Sequence, residues 1–166
     1  IKAAGPIDNL AAKVPDSFPG TSGIAHTRWA THGRPTEKNA HPHSDMSEAI
    51  WVVHNGIIEN YRELKDGLVA QGMTFYSETD TEVIAKLIGN FYRGNLKDAV
   101  TSALKAVRGT YGIVVIHEHT PKELIAARLG SPIVIGLGVD GNFVSSDPSA
   151  LLAHTKDVVY LHDGEV

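Results

Sequence analysis

The 166-residue sequence contains no cysteine. That excludes disulfides, thiolate metal sites and a cysteine nucleophile among these residues, and it is compatible with a cytoplasmic location. No apolar run approaches the roughly 20 residues that a membrane-spanning helix needs, and no signal peptide opens the chain. Positive charge is not in excess: 15 Lys and Arg stand against 19 Asp and Glu, a formal net charge of -4, so nothing invites nucleic acid. There is no internal repeat and no low-complexity tract. What is present is a hydrophobic content of 42% with 20% charged residues, which suits one soluble globular domain with a real core. The first residue is Ile1 and the last strand pattern stops at Val166. Both ends read as cut, so the expectation is a fragment of a longer chain.

The densest set of polar handles is His26-Thr27-Arg28-Trp29-Ala30-Thr31-His32-Gly33. It follows Gly23-Ile24-Ala25, which reads as the end of a buried strand. It runs into Pro35, where strand and helix both stop. A loop launched from a rigid strand is a usual place for binding groups, and the Arg28 guanidinium suits a carboxylate held by two hydrogen bonds. An ordinary surface salt bridge is the alternative.

Further along, a short helix is expected near Asn9–Val14. Ile50–Val53 reads as a buried strand that His54-Asn55-Gly56 interrupts before Ile57-Ile58 resumes it. Asn-Gly is a hairpin turn or bulge by default; the other reading aims the Gly56 amide and the Asn55 carboxamide at a substrate oxygen, as neutral donors. Asn60 with Glu63 makes a capping-box pattern for a helix that Gly72 stops. Met73–Tyr76 reads as a strand. Thr79 or Asp80 caps the next helix, with Val83, Ile84, Leu87, Ile88 and Phe91 as its buried stripe. Leu96–Val107 reads as a third helix. Strands follow at Tyr111–His117, apolar on both faces and so covered on both, then at Glu123–Leu129, Pro132–Leu137, Asn142–Ser145 and Val158–Leu161, with a short Asp147-capped helix before the last. Segregated helices and strands argue for layered α+β.

Two other motifs carry less. Gly136–Gly141 matches the dinucleotide pattern GxGxxG, but a strand follows where a helix is needed, and Asp140-Gly141 reads as a hairpin turn. His41-x-His43 and His117-x-His119 could each supply two metal ligands, yet no carboxylate stands at ligand spacing beside either. Asp80 is a helix cap by default; the alternative is a carboxylate for a substrate ammonium. With Arg28 it would read the head group of a free α-amino acid.

With these residues laid out, the chain resembles the glutaminase domains of the glutamine–fructose-6-phosphate aminotransferase (isomerizing) family, the glucosamine-6-phosphate synthases. The stretches that carry the likeness are HTRWATHG at His26–Gly33, NAHPH at Asn39–His43, HNGIIENY at His54–Tyr61 and SETDTEVI at Ser77–Ile84. RGTYG at Arg108–Gly112, RLGSP at Arg128–Pro132, SSDPSALL at Ser145–Leu152 and VVYLHDGE at Val158–Glu165 continue it. These are class II glutamine amidotransferases. The resemblance implies the four-layer αββα sandwich of N-terminal nucleophile hydrolases, here truncated at both ends. From the weak GxGxxG and histidine-pair signals, no cofactor and no metal are expected. By the same resemblance, Arg28 binds the glutamine α-carboxylate, with Trp29, Thr31 and His32 assisting in the closing loop. Asp80 holds the α-ammonium, and Asn55 and Gly56 form the oxyanion hole. The implied partners are L-glutamine or L-glutamate and a sugar-phosphate isomerase domain in cis, absent from these 166 residues.

One departure matters. The family's nucleophile is an N-terminal cysteine, and this chain starts at Ile1 and has none. An aliphatic side chain cannot attack an amide. The expectation is therefore a glutamine site without turnover, its N-terminal strand missing and an open sheet edge favouring self-association. A non-catalytic amino-acid-binding module, a different class II amidotransferase and a histidine-metal hydrolase are the rival readings.

Overall fold

The computed structural model describes residues 1–29 and 33–166. After a one-turn helix α1 (Ile7–Ala11), the described residues form no regular structure apart from a 3-10 turn at Glu37–Asn39 until strand β1 (His43–Ser44) and the long strand β2 (Ile50–Ile58). Helices α2 (Tyr61–Ala70), α3 (Asp80–Phe91) and α4 (Leu96–Leu104) follow. Strands β3 (Gly109–His117) and β4 (Leu124–Leu129) complete an antiparallel sheet in the order β1-β2-β3-β4. Strands β5 (Val134–Leu137), β6 (Asn142–Ser145) and β7 (Val158–Tyr160) form a second sheet, ordered β6-β5-β7.

Two apolar clusters show how the layers stack. The larger joins Ile50, Val52 and Ile58 of β2 and Ile113 and Val115 of β3 to Ile84 and Ile88 of α3 and Val100 of α4. Each fully buried isoleucine of this kind contributes about 1.5–3 kcal/mol. The smaller joins Val114 and Ala126 to Ile133, Ile135, Val144 and Leu161, and so lies between the sheets. The protein is an α+β sandwich: helices, four-stranded sheet, three-stranded sheet. Strand β3 is covered on both faces, as its unbroken apolar run requires.

Several local expectations give way. Gly23–Ala25 is not in a strand: residues 22–29 belong to no helix or strand, with Ile24, His26 and Arg28 half-buried and their neighbours exposed. Met73–Tyr76 forms no strand either, because the Glu82 carboxylate takes the amides of Tyr76 and Ser77 at 2.8 and 2.5 Å. Asn60 sits at the N-cap of α2 but does not cap it. Its Nδ2 donates to the Ala106 carbonyl and its Oδ1 accepts from the Arg108 amide, and Glu63 pairs with Arg108 instead of closing a capping box. Helix α4 stops at Leu104, and Phe91 is 40% exposed. The first helix begins at Ile7, two residues before the expected start. The GxGxxG stretch is the β5–β6 hairpin.

The largest correction concerns Asn55-Gly56. They are no turn: β2 continues through them, Asn55 opposite Gly112 and Gly56 opposite Tyr111. Gly56 has φ +127°, and a Cβ there would stand 2.2 Å from the Thr110 carbonyl oxygen. Glycine is needed for a close approach between strands, not for a reversal of the chain.

Candidate functional site

Beyond Gly56 the end of β2 is tied to the start of α3. The Ile58 amide donates to Asp80 Oδ2 at 3.0 Å. Thr79 caps α3, its Oγ1 accepting from the Glu82 amide, so Asp80 is the first helical residue and not the cap. Asp80 is 4% exposed, and its carboxylate lies at the helix N-terminus, where negative charge is favoured.

The segment before residue 30 brings His26, Arg28 and Trp29 to the same cavity as Asp80. Arg28 Nη1 and Nη2 donate to the carbonyls of Arg34 and Gly33, each at 3.2 Å. Asn39 braces that loop against α3: its Nδ2 donates to the Arg34 carbonyl and to Glu78 Oε2, and its Oδ1 accepts from the Glu78 amide. Partial burial lowers the pKa of Arg28, and the negative charges of Asp80 and Glu78 pull against that shift.

A cavity of about 180 Å³ results, lined by His26, Arg28, Trp29, His41, Asn55, Gly56 and Asp80 among others. It is smaller than the roughly 300–1,000 Å³ of pockets for drug-sized ligands, a scale that suits a small polar metabolite. Arg28, Trp29, Asn55, Gly56 and Asp80, drawn from three separate stretches of sequence, are brought together here. Trp29 is 89% exposed at its rim. Thr31 and His32 lie outside the described residues. A larger cavity of about 630 Å³ between the two sheets shares His26, Trp29, His54 and Asn55 with the small one.

His41 and His54, which line the cavity, belong to a histidine cluster whose structural part sequence reasoning missed. The His54 amide donates to His41 Nδ1 at 3.4 Å, so the His41 proton is on Nε2, which faces Thr81 Oγ1 at 3.1 Å. The Thr81 hydroxyl then donates to His54 Nδ1 at 3.2 Å, and His54 Nε2 to the Thr110 carbonyl at 3.4 Å. His43 Nε2 meets Thr79 Oγ1 at 3.1 Å. Burial first, then the neighbouring histidines and Arg28, push the His41 pKa down to about 2. Burial, with Lys2 and Arg28 adding and Glu82 and the Asn39 backbone opposing, brings His43 to about 4. His41 and His43 are therefore neutral rings in a chain of hydrogen bonds. Among the described residues no group of three or more His, Asp or Glu is placed to hold a metal. His117 and His119 lie at the far end of β3, where the His119 amide donates to His117 Nδ1. The HxH spacing of 41 and 43 was the one visible signal of the cluster, and it suggested metal ligands instead of neutral hydrogen-bonding rings.

Comparison with known proteins bears on this geometry. A family model described as a glutamine amidotransferase domain matches residues 26–153. The chain is 53% identical over 167 residues to a glutamine–fructose-6-phosphate aminotransferase [isomerizing] of Thermus thermophilus, covering 100% of the chain and 28% of that protein. To the enzyme of the same name from Thermotoga maritima it is 53% identical over 159 residues, covering 96% and 26%. The chain thus spans just over a quarter of the length of these curated relatives. Among solved structures, the glutamine phosphoribosylpyrophosphate amidotransferase of B. subtilis, complexed with ADP and GMP, superposes with a TM-score of 0.66 at 30% identity. That match covers 82% of this chain and 29% of the other.

Proposed function

From the premise that this chain belongs to the glutamine amidotransferase domain family, we propose that the small cavity holds L-glutamine for release of its side-chain ammonia. The observation that carries this reading is that Arg28, Asn55, Gly56 and Asp80 line one cavity. The Arg28 guanidinium suits the α-carboxylate. The buried Asp80 carboxylate suits the α-ammonium. Trp29 at the rim helps the loop close over the substrate, and by the family resemblance Thr31 and His32 assist Arg28. The glutamine side chain then extends toward Asn55 and Gly56.

Attack on the side-chain amide carbon turns its carbonyl oxygen into an oxyanion. The Asn55 carboxamide and the Gly56 amide stabilise that charge without themselves ionising, as preorganised donors in a partly dehydrated site. Collapse of the tetrahedral species expels ammonia and leaves the glutamyl group on the nucleophile; water then releases glutamate. The family resemblance makes the nucleophile a cysteine, and these 166 residues contain none. The chain by itself therefore binds and orients glutamine and does not turn it over. The high identity to the fructose-6-phosphate aminotransferases favours fructose 6-phosphate as the ammonia acceptor, converted to glucosamine 6-phosphate by an isomerase domain in cis.

Calorimetry of the chain with L-glutamate and L-glutamine tests the site. Binding of the L isomers, lost on Arg28→Ala, is expected. Binding that persists unaltered in Arg28→Ala, or no binding by the folded wild-type chain, would refute it.

A further inference from the structure

The Asn55 carboxamide has two faces, and only one of them can serve an oxyanion. If Nδ2 points into the cavity the group is a donor; if Oδ1 points there, it repels the charge it should hold. Rotation by 180° interchanges them, so a neighbour must choose. That neighbour is His26, whose Nε2 lies 2.8 Å from Asn55 Oδ1. Asn55 Nδ2 donates to no group among the described residues.

We infer that His26 is a positioning residue, whose Nε2–H holds Asn55 Oδ1 so that Nδ2 faces the cavity. The inference rests on the glutamine reading above, which makes Asn55 a donor.

Three observations support it. His26 Nδ1 is buried and makes no hydrogen bond of good geometry among the described residues. The ring's single proton is therefore best used on Nε2, which has the Asn55 oxygen at 2.8 Å; on Nδ1 it would leave a buried N–H poorly paired, the rarer of the two outcomes in proteins. The ring cannot swing away, because it stacks on His41 with centroids 4.3 Å apart and planes at 24°. His41 is in turn fixed by Thr81 and the His54 amide. Finally, burial lowers the His26 pKa; the bond to Asn55 and the His54 backbone oppose that, and the Arg28 charge adds to it. A neutral ring has one N–H to give, and its direction is then unambiguous.

The experiment has two arms on the folded chain. Nitrogen-15 NMR reads the His26 tautomer directly. A proton on Nε2 is expected. A proton on Nδ1 overturns the inference, since Nε2 would then accept from Nδ2 and turn Oδ1 to the cavity. The second arm measures L-glutamate binding, whose γ-carboxylate probes the oxyanion position. Asn55→Ala should weaken it by about 10–100-fold, the loss of one charge-assisted hydrogen bond. His26→Phe, which keeps a stacking ring, should weaken it to a similar degree and add little in the Asn55→Ala background. His26→Gln, whose Nε2 can donate at a similar reach, should restore most of the affinity. If Asn55→Ala weakens binding and His26→Phe does not, the inference fails and the glutamine reading stands. If Asn55→Ala has no effect, the donor role itself fails and takes the inference with it.

Discussion

The amide of Ile58, on the strand that carries Asn55 and Gly56, donates to the carboxylate of Asp80 at 3.0 Å. One oxygen of Asp80 is thus committed to holding α3 against β2, and the same carboxylate lines the cavity. Structure and binding are separable by substitution. Asp80→Asn keeps an acceptor for Ile58 but removes the charge, so L-glutamate affinity should fall at least about tenfold while the urea midpoint moves little. Asp80→Ala also leaves a buried amide without a partner, which costs about 1–3 kcal/mol, and its midpoint should drop. Equal midpoints for the two variants would contradict the structural half of this account.

Gly56→Ala should destabilise the chain by about 2–4 kcal/mol, from a strained φ and overpacking against the Thr110 carbonyl. Gly141→Ala is the control: nothing lies within 4 Å of a Cβ there, and its φ is unremarkable. Urea unfolding of both variants checks the contrast.

Thr81 joins His41 to His54. Thr81→Val preserves shape and removes the hydroxyl, so His41 Nε2 loses its acceptor and His54 Nδ1 loses this donor. A loss of about 2–3 kcal/mol is expected. Thr81→Ser should recover most of it. Equal stabilities of the valine and serine variants would show that the hydroxyl does not bridge the rings.

Acid should unfold the protein from the neutral side. His41 and His43 have pKa values near 2 and 4 when folded, against about 6.5 unfolded. Below pH 6.5 the unfolded chain therefore binds protons that the folded chain refuses. The stability they confer is fully present above about pH 6.5 and is lost as pH falls through the window to about pH 4 for His43 and about pH 2 for His41. The slope is about 1.4 kcal/mol per pH unit for each extra proton bound by the unfolded state. Glu82, whose pKa is also lowered because backbone and side-chain hydrogen bonds from Tyr76 and Ser77 outweigh its burial, adds in the same direction below its ordinary value. Denaturation midpoints at pH 7.5, 6.5 and 5.5 should fall in that order, less steeply in His41→Gln. A flat profile would contradict neutral buried rings.

Local signals carried far in this chain. The 3.6-residue stripe of Val83, Ile84, Leu87 and Ile88, the Asp147-Pro148 start and the unbroken run of β3 are dictated by near neighbours, and they stand where the sequence puts them. Where a distant side chain intervened, local reading failed. Glu82 took the amides that would have made a strand of Met73–Tyr76, and Ala106 and Arg108 took the side chain that would have capped α2.

The sequence alone determined which chemical groups are on hand: one arginine loop, an Asn-Gly pair, an acid at a helix start, nine histidines and no thiol. Only the tertiary structure decided that the arginine and the acid share a cavity, that Asn-Gly lies within a strand, and that His26, His41 and His43 are neutral partners around it. Composition and periodicity act over a few residues. Convergence of groups as far apart in the chain as Arg28 and Asp80, and the dehydration that sets their protonation, exist only once β2 has packed against α3.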